Sequence, residues 1–333
     1  MCKPTFIIAE AGVNHNGDIA LAKRLVEIAA SSGADAVKFQ TWKTESLVTS
    51  SVEMAEYQVS NTQIKESQFD MLKRLELSYD DFKELKLYCE KNKILFLSTA
   101  DEEESASFLN NLQDIFKIGS GELTNTPFLK HVASFGKDVI LSTGMANLGE
   151  TEQAIGVLLS VGLTLAQITV LHATTAYPTS PKDVNLNAML TLRNAFPGIK
   201  VGYSDHTLGI EISLAAVALG ARVIEKHFTL SREMKGPDHA ASIEPAELVS
   251  LVNGIRNVEK ALGSGWKAPT AQESENKKIV RKSIVAKEGI SDGEMFTTKN
   301  LTVMRAGKGI SPDRWDDLIG THATKSYIKG DVI

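Results

Sequence analysis

Short runs rich in β-branched and aromatic residues recur from residue 6 to about residue 260: FIIAEAG, DAVKFQTW, ILFLSTA, IFKIGSG, DVILSTGM, ITVLHAT, IKVGYSDH and RVIEKHFT. Their near-continuous apolar character is that of strands buried on both faces of a parallel sheet. Between them lie amphipathic or apolar helical patterns, among them Ile19 to Ser32, Asp80 to Asn92, Gly149 to Val161 and Gly209 to Leu219, several stopped by a glycine. Eight such units in one stretch predict a (β/α)8 TIM barrel. A doubly wound open sheet is the alternative. Against it, no GxGxxG opens the first helix, and polar residues end every strand rather than gathering at one switch point.

The pattern predicts a barrel domain over residues 1–262. Inside it, the segment from Thr44 to Tyr79 is too long for an ordinary loop, and its amphipathic YQVSNTQIKESQFDMLKRLEL stretch reads as helix packed over the barrel mouth. Residues 263–279 are rich in Gly, Ser, Pro and Lys and read as a linker. Residues 280–333 carry short strand-like pieces, SIVAK, LTVMR and KSYIK, punctuated by GISDGE, GKGIS and KGD. So short a segment is expected to dock on the barrel or on a second subunit.

In such a barrel the catalytic groups sit at the C-terminal strand ends. Here those ends carry Glu10; Lys38 and Gln40; Thr99; Lys117, Ser120 and Glu122; Ser142 and Thr143; His172 and Thr174; Ser204, Asp205 and His206; and Glu225, Lys226 and His227. A lone Ser or Thr could be a satisfied core hydrogen bond, but eight polar ends together point to a polar active site. Lys38 and Lys117, flanked by hydroxyl residues, suit an anionic ligand bearing phosphate or carboxylate; otherwise each pairs a buried carboxylate. His206 and His227 end adjacent strands beside Asp205 and Glu225 and could converge on one divalent metal. His15 and His239 fit either substrate contact or a solvated loop. Glu10, among apolar neighbours, needs a partner if ionised and suits general acid/base work. Glu122 is a second such candidate, or it orients Lys117.

Composition narrows the class. With 43% hydrophobic and 23% charged residues the chain is neither disordered nor collagen-like. A formal charge of −5 supplies no bulk positive field for nucleic acid or acidic membranes. No apolar run approaches the roughly 20 residues of a spanning helix, and MCKPTFIIAEAG does not read as a signal peptide. Only Cys2 and Cys89 are present, without paired spacing, which argues against a disulfide framework or cysteine zinc site and fits a reducing cytoplasm.

The motifs AEAGVNHNGD, AVKFQTWK, KIGSGELTN, LSTGM, YSDHTLG and EKHFTLSREMKGPDHAASIEPAEL together resemble the sialic acid synthase family over the full length. RKSIVAKEGISDGE and LTVMRAGKGIS resemble the small antifreeze-like (SAF) domain that follows that family's barrel. The resemblance implies an enzyme that condenses phosphoenolpyruvate with an N-acetylated aminohexose. It implies a domain-swapped homodimer in which Arg305 reaches the acyl amide of the sugar in the other chain. It further implies that Lys38, Lys117, Thr99, Ser120, Ser142 and Ser204 hold phosphoenolpyruvate. His206 and His227 would hold Mn2+, with Mg2+ or Co2+ as alternatives; Gln40, Tyr177 and Asp238 would contact the sugar, and Glu10 would be the catalytic carboxylate.

Three departures stand out: STADEEE replaces the family's STPF after Thr99, Ala176 stands where a larger or acidic residue is common, and Arg305-Ala306-Gly307 replaces RPG. N-acetylmannosamine, giving N-acetylneuraminate, is the first expectation for the acceptor. A 2,4-diacetamido-2,4,6-trideoxyhexose, giving legionaminate or pseudaminate, is the alternative. A non-catalytic sugar-binding protein of envelope polysaccharide assembly would have lost Glu10, Lys38, Lys117, His206 or His227, and all are present. A metal-dependent hydrolase would show an HxH pair on the first strand, where this chain carries Glu10.

Overall fold

Successive side chains on a strand point to opposite faces, so a barrel strand sends every second residue inward and the others against the surrounding helices. The computed structural model of the protein, which describes residues 4–62 and 64–333, follows this rule around a closed ring of eight parallel strands. These are β1 (Phe6–Gly12), β2 (Ala36–Thr41), β3 (Leu95–Ala100), β4 (Ile115–Ile118), β5 (Asp138–Ser142), β6 (Ile168–Ala173), β7 (Lys200–Asp205) and β8 (Val223–His227). All eight expected strands are present, in sequence order, and β1 closes the ring against β8 with Glu10 opposite His227.

Outward residues such as Val37, Phe39, Phe96, Phe116, Leu141, Val170 and Tyr203 join the helices in the main core. Inward residues Ile8, Ala36, Leu97, Ile140, Leu171 and Val223 form a separate apolar plug inside the barrel. One inward step further toward the C-terminal end, the side chains become Glu10, Lys38, Thr99, Lys117, Ser142, Ala173, Ser204 and Glu225. The plug closes the bore below, and the polar set stands on it.

The helices begin and end where local chemistry dictates. Asp18 caps the helix Ile19–Ser32 by accepting from the amides of Ala20 and Leu21, and Gly33, at φ 81°, ends it in the left-handed region that side chains disfavour. The long segment after β2 forms the helices Thr44–Leu47, Glu56–Thr62 and Gln68–Leu75, not one continuous helical stretch. Trp42, Met54, Met71 and Leu75 pack with Val13 from the loop after β1, and Asn61 donates to the carbonyl of Pro237 in the loop after β8. The excursion is therefore anchored at the C-terminal end of the barrel.

The chain divides into two units, Met1–Gly263 and Ser264–Ile333. In the second, β9 (Lys282–Ala286) pairs antiparallel with β10 (Leu301–Arg305) over a small core of Ile284, Ile290, Phe296, Leu301, Leu318 and Tyr327. Two expectations are corrected here. The stretch read as linker contains most of a helix, Ala271–Val280, because Thr270 and Glu273 form a reciprocal capping box ahead of good helix formers. KSYIK makes no strand: Tyr327 forms only an isolated bridge with Ile290, between the glycine turns at Gly320 and Gly330. Cys2 lies outside the described residues; Cys89 is buried, and burial pushes its thiol up to about 12.

Candidate active site

The side chains above the plug, Ala173 apart, line a cleft of about 190 Å³ at the C-terminal end of the barrel. Eleven of the expected site residues line it: Glu10, Lys38, Gln40, Thr99, Lys117, Ser120, Ser142, Tyr177, Ser204, His206 and His227. Two larger cavities, of about 560 Å³ and 430 Å³, lie elsewhere on the barrel and contain none of these eleven.

Charge organises the floor of the cleft. Lys38 Nζ lies 2.8 Å from Glu10 Oε2 and 3.6 Å from Glu225 Oε2, and it donates to Thr99 Oγ1 at 2.6 Å. Lys117 Nζ lies 3.4 Å from Glu225 Oε1, which also accepts from Ser204 Oγ at 2.8 Å. Glu225 is thus shared by both lysines, a role that the sequence reading did not give it. Its place two residues before His227 on an inward-facing parity is the signal that finds it. Gln40 Nε2 donates to Glu10 Oε1 at 3.5 Å.

The two carboxyls are driven apart. Burial would raise Glu225, but Lys117, Lys38 and the Ser204 hydroxyl outweigh it and hold the carboxyl at about 2. Burial dominates at Glu10, only partly offset by Lys38, and raises it to about 8. One buried carboxylate therefore stays ionised at neutral pH while its neighbour keeps a proton, a separation typical of acid/base sites. Burial alone would depress Lys38, but Glu10 and Glu225 hold it above its ordinary value. At Lys117 burial wins and the ammonium is held below.

Two imidazoles stand over this floor, their ring centres 5.5 Å apart. His206 Nδ1 lies 2.7 Å from the carbonyl oxygen of Thr174, so this nitrogen donates and Nε2, 3.5 Å from Ser204 Oγ, keeps its lone pair. Burial holds both histidines below their ordinary value, His227 well below. His227 Nδ1 is buried without a hydrogen-bond partner, and Asp238 Oδ2 is 3.9 Å from it. The Tyr177 ring packs 4.3 Å from that of His206. Two neutral imidazoles with an orphaned nitrogen suit a divalent ion. Among the described residues no cluster of three His, Cys, Asp or Glu side chains that could hold a metal ion is formed.

Close backbone approach shapes the walls. A Cβ on Gly144 would lie 2.7 Å from both Ser120 Oγ and Thr175 Cγ2, so only glycine lets its amide reach Ser120 Oγ at 2.9 Å. At Gly12, with φ 50°, a Cβ would press on Glu10 and His227 at 3.3 Å.

Other expected residues lie elsewhere. Asp205 and Lys226, read as part of the polar rim, face outward: they form a buried ion pair of 3.0 Å behind the barrel wall, completed by Ser213 and the Thr207 carbonyl. His172 also faces outward, its Nε2 against the carbonyl of Val184. Glu122 does not line the cleft; it accepts from Asn125 Nδ2 at 2.5 Å, and Lys117 takes Glu225 instead. Asp238 stands beside His227 outside the cleft lining. Arg305 ends β10 in the second unit and is exposed. His15 and His239 are buried: His15 accepts from the Gly17 amide in its own loop, and His239 is bonded to Thr229 and, in the loop after β1, to Asn16, so neither is a solvated loop residue. Asp101, two residues beyond Thr99, lines the cleft unforeseen.

The chain is similar to known proteins along most of its length. The NeuB family model matches residues 25–267. An N,N'-diacetyllegionaminic acid synthase of Campylobacter jejuni is 53% identical over 99% of both chains. The human N-acetylneuraminate-9-phosphate synthase is 37% identical over 99% of this chain and 91% of its own. The crystal structure of an N-acetylneuraminic acid synthetase from Leptospira borgpetersenii, in complex with citrate, superposes with a TM-score of 0.72 at 37% identity, covering 82% of this chain and 90% of that one.

Proposed function

Because this chain belongs to the NeuB family and is one of its enzymes, we propose that it condenses phosphoenolpyruvate with an N-acetylated aminohexose and water, releasing phosphate and a nine-carbon keto sugar acid. The observation that carries this reading is the pair of lysines sharing Glu225 beneath two neutral imidazoles. Lys38 and Lys117, with the hydroxyls of Thr99, Ser120, Ser142 and Ser204, receive the phosphate and carboxylate of phosphoenolpyruvate. They are held there before the substrate arrives, so little reorganisation accompanies the reaction. His206 and His227 would hold a divalent ion, Mn2+ in the first instance, whose Lewis acidity favours attack on the open-chain aldehyde of the acceptor.

Glu10 moves the protons. Carbon C3 of phosphoenolpyruvate bonds to the aldehyde carbon, and the aldehyde oxygen takes the Glu10 proton. The resulting Glu10 carboxylate then removes a proton from the water that adds at C2; the C2–O bond to phosphate breaks as the new C2 hydroxyl passes its proton to the departing phosphate and becomes the keto group. Glu10 ends protonated as it began, ready for the next turnover. Gln40, Tyr177 and Asp238 flank the acceptor, while Arg305, brought by a second copy through exchange of SAF domains in a homodimer, reaches its acyl amide. A phosphoenolpyruvate-consuming reaction supports a cytoplasmic location; among the described residues no helix is long and apolar enough to cross a membrane.

For the acceptor, the near-full-length likeness to a legionaminic acid synthase favours a 2,4-diacetamido-2,4,6-trideoxyhexose, the alternative left open by the sequence, over N-acetylmannosamine. Phosphate release measured with each sugar in turn tests this. Higher kcat/KM with the diacetamido sugar is expected; higher kcat/KM with N-acetylmannosamine would restore N-acetylneuraminate as the product.

A further inference from the structure

Asp101 sits directly after β3, and its amide donates to the carbonyl of Thr41 at the end of β2, which fixes its backbone to the barrel rim. It continues the inward parity of Leu97 and Thr99 and lines the cleft. No group among the described residues forms a hydrogen bond or ion pair with its carboxyl, although almost every other charged group of the cleft is paired. Lys38 and Lys117 influence it but spend their short contacts on Glu10 and Glu225. With the short contacts of both lysines taken by Glu10 and Glu225, the carboxyl oxygens of Asp101 are left open to the uncharged substrate. Position agrees. In a closed ring of eight strands, β3 lies across from β7, which leads into His206. An acceptor whose aldehyde lies at the imidazoles extends its remote end toward β3.

We infer that Asp101 is a specificity-determining residue, accepting a hydrogen bond from an N–H or hydroxyl of the acceptor sugar at the end remote from its aldehyde. This rests on the condensation proposed above. An acetamido N–H and a hydroxyl both donate, so the contact serves either acceptor and its strength, not its presence, separates the two sugars.

The test is steady-state kinetics of the full chain, Asp101→Asn and Asp101→Ala, each substrate being varied against saturating partner. Losing a hydrogen bond to a sugar donor is expected to raise the acceptor KM by about tenfold or more in D101A, less in D101N, whose amide oxygen still accepts. The phosphoenolpyruvate KM should stay within about twofold in both, which also reports that the cleft has folded. The ratio of kcat/KM for the diacetamido sugar to that for N-acetylmannosamine should fall in D101A. An unchanged acceptor KM in both variants overturns the assignment, as does an equal rise in both substrates' KM. A wild-type chain that condenses neither sugar instead overturns the proposed reaction, and the inference with it.

Discussion

Glu10 and Glu225 are chemically alike, and their surroundings give them opposite tasks. Two ammoniums and a hydroxyl keep Glu225 ionised, whereas burial keeps a proton on Glu10 up to about pH 8. Glu10→Gln is therefore expected to lower kcat by about 10²- to 10⁴-fold, the usual contribution of a positioned acid/base. The KM for phosphoenolpyruvate should change far less, because the lysines remain. Between the ordinary value of 4.5 and about 8, the folded chain holds a proton on Glu10 that the unfolded chain has lost, so stability falls as pH rises through that window. In E10Q the fall should be smaller, measurable as the difference in unfolding free energy between pH 5 and pH 8; an identical pH slope in both proteins would contradict the protonation assigned here. Of these residues, Glu10 was legible in the sequence as a costly acid in an apolar strand. Glu225 was visible only as a polar strand end, because its meaning comes from lysines on β2 and β4 that the sequence places far away.

At the scale of the element, strand parity decides which polar residues do chemistry. YSDH and IEKH each put alternate residues on opposite faces, so Ser204, His206, Glu225 and His227 enter the bore while Asp205 and Lys226 pair behind it. All eight strands were readable from their apolar runs, but reading each strand end as a block merged these two sets. Period two, applied residue by residue from Ile8, Leu97 or Val223, separates them. Lys226→Met should consequently lower the melting temperature by stranding Asp205, since breaking a buried pair costs about 3–5 kcal/mol, and leave kcat/KM nearly unchanged. Lys38→Met, which also removes a buried pair, should in addition abolish measurable phosphoenolpyruvate turnover. Calorimetry and kinetics on the two variants check this, and a catalytic loss in K226M as large as in K38M would refute the division. The helix Ala271–Val280 teaches the same lesson about local signals: its capping box was present in TAQE, but the Gly- and Pro-rich stretch before it dominated the reading.

At the scale of the whole molecule, the apolar plug of Ile8, Ala36, Leu97, Ile140, Leu171 and Val223 closes the barrel from below, and the loops after β1, β2 and β8 interlock around its upper end. Order of elements and closure follow from patterns spread along the entire chain, and so the barrel was legible where individual pairings were not. The central claim is that this cleft joins phosphoenolpyruvate to a sugar with cleavage of the C2–O bond. The most direct measurement uses phosphoenolpyruvate labelled with ¹⁸O at the oxygen bridging C2 and phosphorus, turned over with the diacetamido sugar and Mn2+, beside an EDTA-treated control. The account predicts that the label leaves in inorganic phosphate, one phosphate for each nine-carbon acid formed, and that EDTA stops both. Label retained in the sugar acid, or phosphate released at the same rate without any acceptor, would contradict it.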